Sequence, residues 1–234
     1  MLTDAIRQLV NYGHVPRKTA VAPAVAAPPR QRDADRSQQT ILEAARAEFH
    51  EHGLGGARVD RIAERAALDK RLIYYYFENK DSLFQAVLED AYLGIREAER
   101  KLHLDDLAPA EAVRRLTEFT WNYYLAHPEF LTMLNSANLH RARHIEGSAR
   151  VREMNSPLVQ TLGEILERGR TAGAFRGGID PVQLYISIAG LSYFYLSNNH
   201  TLSAIFGRNL LSAKARAERI SHICDVILGY VLRD

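Results

Sequence analysis

The residues with the clearest chemistry lie between Ala57 and Lys80. Lys70, Arg71, Tyr74 and Tyr75 stand at offsets 0, 1, 4 and 5, so a helix carries all four on one side. Ile73 and Phe77 fall on the other side. A short face of cations and phenols suits a DNA major groove. Ammonium and guanidinium ions meet phosphates and guanine edges, while tyrosine hydroxyls bond phosphates and their rings touch thymine methyls. Arg58 lies just upstream. Lys80, with the free amides that open the following helix, suits one more phosphate. The same pattern also fits packed helices whose adjacent tyrosines lie in a core or an interface, and periodicity leaves both readings open.

A second set of residues suits a small organic molecule. Trp121, Tyr124, Phe130, Tyr193 and Phe194 offer aromatic walls, and Asn135, Asn138 and Asn198 offer amides to orient polar edges. An aromatic stripe at helical spacing also serves as ordinary core. Residues 140–152 hold four Arg, two His and one Glu, a net +3 that reads as a solvated basic face. His140 and His144 share a helical spacing, but Arg141 and Arg143 beside them repel a cation and no third ligand stands near. No metal and no cofactor is expected. The chain has no glycine-rich phosphate loop, no G-x-S-x-G elbow and no H-E-x-x-H. Its one cysteine, Cys224, sits in an apolar helical pattern. An enzyme is therefore not expected.

The elements that must hold these residues are helical almost throughout. Ile41, Ala45 and Phe49 mark a first helix capped by Asp35 or Ser37, running to about His52 with Gly53 past its end. Val59, Ile62, Ala63 and Ala66 mark a second. After the break Ala67-Leu68-Asp69, Asp69 caps a third helix through Phe77. Asn79 caps a fourth, with the stripe Phe84, Val87, Leu88, Ala91 and Ile95. Further helices span about 109–126 and 129–138. Ser156-Pro157 and Asp180-Pro181 each read as an N-cap followed by proline at the first helical position. The helix after Asp180 is apolar nearly all round, so both its faces should be buried. A final helix spans about 213–232. No strand alternation of useful length appears, and the fold class is all-α.

The chain has 234 residues, 47% hydrophobic and 25% charged, which is ordinary globular composition. Its net charge is only +2, and 25 of its 30 basic residues are Arg. That excess alone does not separate coding bias from phosphate binding. Residues 1–80 carry 13 basic and 10 acidic groups, so the modest positive charge gathers toward the N-terminal end. Residues 1–34, with Pro16, Pro23, Pro28 and Pro29 among Ala and Val, read as a flexible arm. No apolar run reaches the roughly 18 residues that a membrane span needs, and no secretory leader is evident. A cytoplasmic protein is the expectation.

The run Leu72-Ile73-Tyr74-Tyr75-Tyr76-Phe77-Glu78-Asn79-Lys80-Asp81-Ser82-Leu83 resembles the signature of the TetR/AcrR family of transcriptional regulators. Val59-Asp60-Arg61-Ile62-Ala63 and Ile41-Leu42-Glu43-Ala44-Ala45 before it do so too. The resemblance covers residues 35–82 and implies a three-helix helix-turn-helix domain. It further implies a body, residues 83–234, that binds a small effector and forms a homodimer through its last two helices. The double-stranded DNA operator would then be pseudo-palindromic. Some positions depart from the family pattern. Ala57 and Arg58 stand where a capping Thr or Ser is usual, so Arg58 offers a charged contact in place of a hydroxyl. Ala67 takes the place of the turn glycine. Asp69 stands where Ser is usual, and the recognition helix carries Arg71 and Leu72 in place of a small residue or Thr.

His127-Pro128-Glu129-Phe130, residues 135–144 and residues 175–196 are more weakly similar to regulators of pyrimidine and N-heterocycle catabolism within that family. That likeness implies a small aromatic or heterocyclic effector. Ile186, Ile188, Ala189, Leu191, Ile220, Ile223, Val226, Ile227 and Tyr230 supply the apolar surface expected at a dimer interface. The resulting expectation is a repressor released from DNA by its effector. An all-helical interaction module with buried tyrosines is the alternative.

Overall fold

A computed structural model describes residues 31–146 and 148–233. Its helices follow in the order α1 (Gln31–Gly56), α2 (Val59–Ala66), α3 (Lys70–Phe77), α4 (Lys80–Arg100), α5 (Pro109–Ala126), α6 (Pro128–Leu139), α7 (Ala149–Thr171), α8 (Pro181–Ser197), α9 (Asn199–Phe206) and α10 (Ala213–Val231). A single 3-10 turn, Leu104–Asp106, joins α4 to α5. Among the described residues the one β contact is an isolated bridge between Phe175 and Leu232. The protein is all-α, and no helix among the described residues is long and apolar enough to cross a membrane.

Local chemistry starts and stops these helices. The Asp69 carboxylate accepts the Arg71 N–H at 2.8 Å, and the Asn79 amide oxygen accepts the Ser82 N–H at 2.9 Å. Asp180 receives the Val182 N–H at 2.8 Å ahead of Pro181. Gly53, at φ 61°, breaks the regular run of α1 where the first helix was expected to end.

Three helix assignments differ from the sequence reading. First, α1 begins at Gln31, inside the segment read as an arm, and the rest of that segment lies outside the described residues. Ser37 does not cap it; its hydroxyl bonds back to the Asp33 carbonyl at 2.8 Å. Second, α7 does not start at Pro157. It starts at Ala149, where the Ser148 hydroxyl accepts the Val151 N–H at 3.2 Å and donates to Glu89 at 2.8 Å. That tertiary contact and the burial of Val151 carry the helix upstream. Pro157 then lies within it, and the Glu153 carbonyl loses its helical donor. Third, α8 buries only one side. Leu184 and Ile188 are buried while Val182, Ile186 and Phe194 face outward, and α9 was not foreseen.

Two apolar clusters form. The first joins Ile41, Ala45 and Phe49 of α1 to Ile62 of α2, Ile73 of α3 and the Leu83–Leu88 half of α4. Phe49 and Phe84 meet edge to face at 5.1 Å. Met133 and Ala137 of α6 complete this cluster. The second gathers α5, α7, α8 and α10 around Leu116, Leu162, Ile188 and Ile227, and takes in Ile95 from the far half of α4. Helix α4 therefore belongs to both clusters.

Candidate functional site

The turn between α2 and α3 sets how α3 is presented. Ala67 adopts the left-handed conformation (φ 51°, ψ 38°), and the Leu68 N–H closes the turn on the Ala63 carbonyl at 3.1 Å. A residue with a Cβ is disfavoured there, so the geometry wins over local preference. Ile73 anchors α3 in the head core. Its other side stands out from the surface: Tyr75 is 74% exposed and Tyr74 45%, with Arg71 and Lys70 exposed beside them. Tyr76, by contrast, is half-buried with its hydroxyl enclosed and unpaired. The adjacent tyrosines thus split, and the two on the basic face are solvent-accessible.

Electrostatic partners tune this face. Asp60 of α2 pairs with Lys70 and lies 3.7 Å from Arg58. The Lys70 ammonium, by its hydrogen bond and then its charge, holds the Asp60 carboxyl below the usual range. Behind the face, burial opposes the charge of Glu48. The Arg58 N–H at 3.0 Å and the Arg61 Nε at 2.6 Å outweigh that burial, and the carboxyl titrates below its ordinary value. Glu48 thereby ties α1 to the start of α2.

Lys80 is placed differently from the sequence expectation. Its ammonium donates to the carbonyls of Leu54 at 2.8 Å and Ala57 at 3.2 Å, so it closes the end of α1 and is only partly accessible. Two carbonyls at a helix end outcompete solvent for a nearby ammonium. Arg58, Lys70, Arg71, Tyr74 and Tyr75 share the outer surface; Lys80 turns inward.

The eight body residues do not converge. Trp121, Tyr124 and Phe130 are sealed in the body cluster, where α5 and α6 face the other helices. Trp121 lies against Tyr195 and Tyr124 against Phe130. Asn135 forms a polar group with Tyr193 and Ser197. Asn138 and Asn198 bond carbonyls of their own helices, and Phe194 is exposed. None of the eight lines the cavity of about 440 Å³ between α4 and α7.

That cavity is lined by Leu93, Met154, Pro157 and Leu158, and by the charged pair Arg96 and Glu99. The pair is enclosed, at 4% and 5% exposure. Arg96 Nη2 donates to the Tyr185 hydroxyl at 2.7 Å. Arg96 Nη1 approaches a Glu99 oxygen at 3.0 Å without hydrogen-bond alignment, so Nε, Nη1 and both carboxylate oxygens have no hydrogen-bond partner. Burial pushes the Glu99 carboxyl up to about 7 against the pull of Arg96. Arg168 holds the turn that contributes Asp105 to the lining, donating to the Asp105 and Leu107 carbonyls at 2.9 and 3.1 Å. The sequence does carry a signal for the pair. Glu99 stands four residues after Ile95, where the stripe of α4 calls for an apolar side chain.

Body and head also meet at a polar latch. In the turn after α6, the buried His144 and the exposed Arg143 both reach Asp81, in the first turn of α4.

Comparison with known proteins agrees with this geometry. Residues 41–87 match the family "Bacterial regulatory proteins, tetR family", and residues 109–227 match "Tetracyclin repressor-like, C-terminal domain". The chain is 41% identical over 199 residues to the HTH-type transcriptional repressor NicS of Pseudomonas putida, covering 85% of this chain and 94% of NicS. It is 39% identical over 103 residues to the HTH-type transcriptional repressor SCO4008 of Streptomyces coelicolor, covering 44% of this chain and 50% of that one. Among solved structures, the putative transcriptional regulator SCO4942 of Streptomyces coelicolor superposes with a TM-score of 0.65 at 22% identity, over 85% of this chain and 99% of that one.

Proposed function

Because the chain belongs to the TetR family of bacterial regulatory proteins, we propose that it is a ligand-responsive repressor that leaves a pseudo-palindromic operator when a small effector enters its body. It is a DNA-binding transcriptional regulator rather than an enzyme. The observation that carries the reading is the exposed side of α3, where Lys70, Arg71, Tyr74 and Tyr75 stand together over the buried Ile73. Inserted in a major groove, that side reads base edges while Arg58 meets the backbone. Exposure of Tyr74 and Tyr75 weighs against an interaction module built on buried tyrosines.

We assign residues 35–82 to the DNA-binding head, which α1 extends upstream to Gln31, and 83–234 to the effector and dimerisation body. A homodimer is supported by the bare sides of α8 and α10. Ile186 and Phe194 on α8, with Val226 and Tyr230 on α10, are large apolar groups left exposed on a single chain. Such a face is what a self-complementary two-fold interface covers. Ile188, Ile223 and Ile227 instead belong to the chain's own core. Two heads on one dimer read two half-sites one helical turn apart. The effector acts by favouring a head spacing that no longer fits, which requires it to bind the two arrangements with different affinity.

A mobility-shift assay on the gene's own upstream region tests the reading. A salt-sensitive shift by a protein that is dimeric in native mass measurement is the expected result. No shift there or on any enriched sequence pool, or a monomer, overturns it.

A further inference from the structure

We propose that the cavity between α4 and α7 is the effector site, and that its ligand is a small molecule bearing one carboxylate, received by the unused N–H groups of Arg96. This rests on the effector-responsive reading above. Arg96 carries a charge that cannot be removed. A guanidinium keeps its proton under all relevant conditions, so a buried Arg must be met by an anion. Glu99 is the only carboxylate in contact with Arg96 among the described residues, and it makes no aligned hydrogen bond to it. Burial pushes the Glu99 carboxyl up to about 7, so near neutrality a fraction of it is protonated, and in that form it leaves Arg96 without a counter-charge. Nε and Nη1 of Arg96 have no hydrogen-bond partner, although Nη1 lies 3.0 Å from Glu99 and the residue is 4% exposed. The missing partner is an acceptor with a negative charge.

Size and charge narrow the class. About 440 Å³ suits a molecule of one or two rings. Leu93, Met154, Pro157 and Leu158 give it apolar walls. Arg96, Arg100 and Arg150 line the cavity together with Glu99, Asp105 and Glu153, so there is no surplus positive charge for a phosphate dianion. A single carboxylate is accommodated once Glu99 holds a proton. The groups facing Glu99 sharpen this. Tyr185 from α8 and Tyr124 from α5 are phenols whose own ionisation burial suppresses, so neither supplies the anion. Tyr92 on α4 and Tyr123 on α5 are likewise pushed up by burial. Arg150 of α7 pairs with Glu89 of α4 at 3.8 Å, while Glu153 of α7, His103 and Asp105 also line the cavity. Binding a carboxylate beside Glu99 therefore takes up a proton, and affinity falls as pH rises past neutrality.

The site also touches the machinery that must respond. Arg96 and Glu99 lie on α4, the helix whose first half packs in the head core. A ligand that draws Arg96 away from Tyr185 of α8 shifts α4 against the body.

The test pairs acids with their amides. Thermal-shift and calorimetric titrations of the full-length protein use a panel of small aromatic carboxylates and the matching primary amides, benzoate and benzamide among them. We expect at least one acid to stabilise the protein and release it from operator DNA while its amide does neither. Arg96→Gln should weaken that acid at least tenfold. Glu99→Gln should keep binding and lose its pH dependence between pH 6 and 8. The double variant R96Q/E99Q leaves no unpaired charge and guards against misfolding; it should fold, bind DNA and ignore the acid. Equal effects of acid and amide, full binding by R96Q/E99Q, or no response to any acid each overturn the carboxylate site. In those cases DNA binding that a neutral compound relieves leaves the effector-responsive reading standing. Absence of DNA binding defeats that reading instead.

Discussion

His144 Nε2 lies 3.2 Å from Asp81 Oδ1, joining two residues 63 positions apart in the chain. The imidazole is buried and packs edge-on against Phe84 at 4.9 Å, so its position is fixed from two sides. Arg143 Nη2 reaches the same oxygen at 3.3 Å. The turn after α6 thus grips α4 one residue beyond Lys80, at the point where head and body join.

This latch has a defined pH signature. The His144 hydrogen bond, helped by the charge of Arg143, holds the Asp81 carboxyl below its ordinary value. The folded protein therefore favours the ionised form. Its contribution to stability is complete above the unfolded aspartate value of about 4 and is lost as pH falls through the lower folded value. Asp81 is more than half exposed, so the contribution is below about 1 kcal/mol. Melting curves of wild type and Asp81→Asn should differ slightly at pH 7 and converge below pH 4. A gap that widens on acidification contradicts the assignment.

Lys70 and Lys80 should fail in different ways. Lys70→Ala removes an exposed cation from the proposed DNA face. It should weaken binding to all sequences and reduce the slope of log K against log salt by about one. Lys80→Ala removes two hydrogen bonds to backbone carbonyls of α1 and its following turn. It should cost about 1–3 kcal/mol of stability and leave the salt slope nearly unchanged once the protein is folded. Asp60→Asn frees Lys70 and Arg58 from their partner and should tighten binding. Salt titrations of a labelled operator, with melting curves alongside, check all three.

Ala67→Gly should stabilise the head. The left-handed backbone costs a residue with a Cβ about 1–2 kcal/mol, and the added freedom of glycine in the unfolded chain returns up to about 1 kcal/mol of that. A net gain of about 0.5–1 kcal/mol is expected, read as a rise in the midpoint of urea unfolding. A loss of stability means that the turn is not held in this conformation.

Gly169→Ala should do the reverse. A Cβ there falls 2.1 Å from the Phe175 ring, a fully buried aromatic that cannot retreat. Overpacking of this kind costs about 1–3 kcal/mol, or a fall in Tm of roughly 2–12 °C for a chain of this size. Phe175 also bridges to Leu232 beyond α10, so the variant should loosen the C-terminal end of α10 as well.

The sequence made the head easy to read because its determinants are local. Asp69 and Asn79 cap the helices that follow them, and the period of Ile62, Ala63 and Ile73 separates inside from outside without reference to anything distant. The body was harder for the same reason inverted. Ser156-Pro157 looks like a helix start, but Ser148 bonded to Glu89 on another helix decides the matter. Lys80 offers an ammonium to phosphate in sequence terms, while the Leu54 carbonyl that claims it lies 26 residues away. Trp121 and Tyr124 combine the right chemistry for a ligand wall with the right spacing for a core, and packing chose the core. Arg96 and Glu99 went unnoticed because a charge on a helix is ordinarily solvated. Only their position on the inner stripe of α4 marks them.

Met133 and Ala137 belong to α6, yet they fill the core on which α3 rests. The head is therefore not a detachable cassette. Transplanting residues 35–82 onto another body leaves a hole where these two side chains sat, unless the new partner supplies volumes that match. Repressors assembled by swapping heads on this chain should need α6 to travel with the DNA-binding helices. Selection for a new operator likewise meets constraints set by a helix that lies outside residues 35–82.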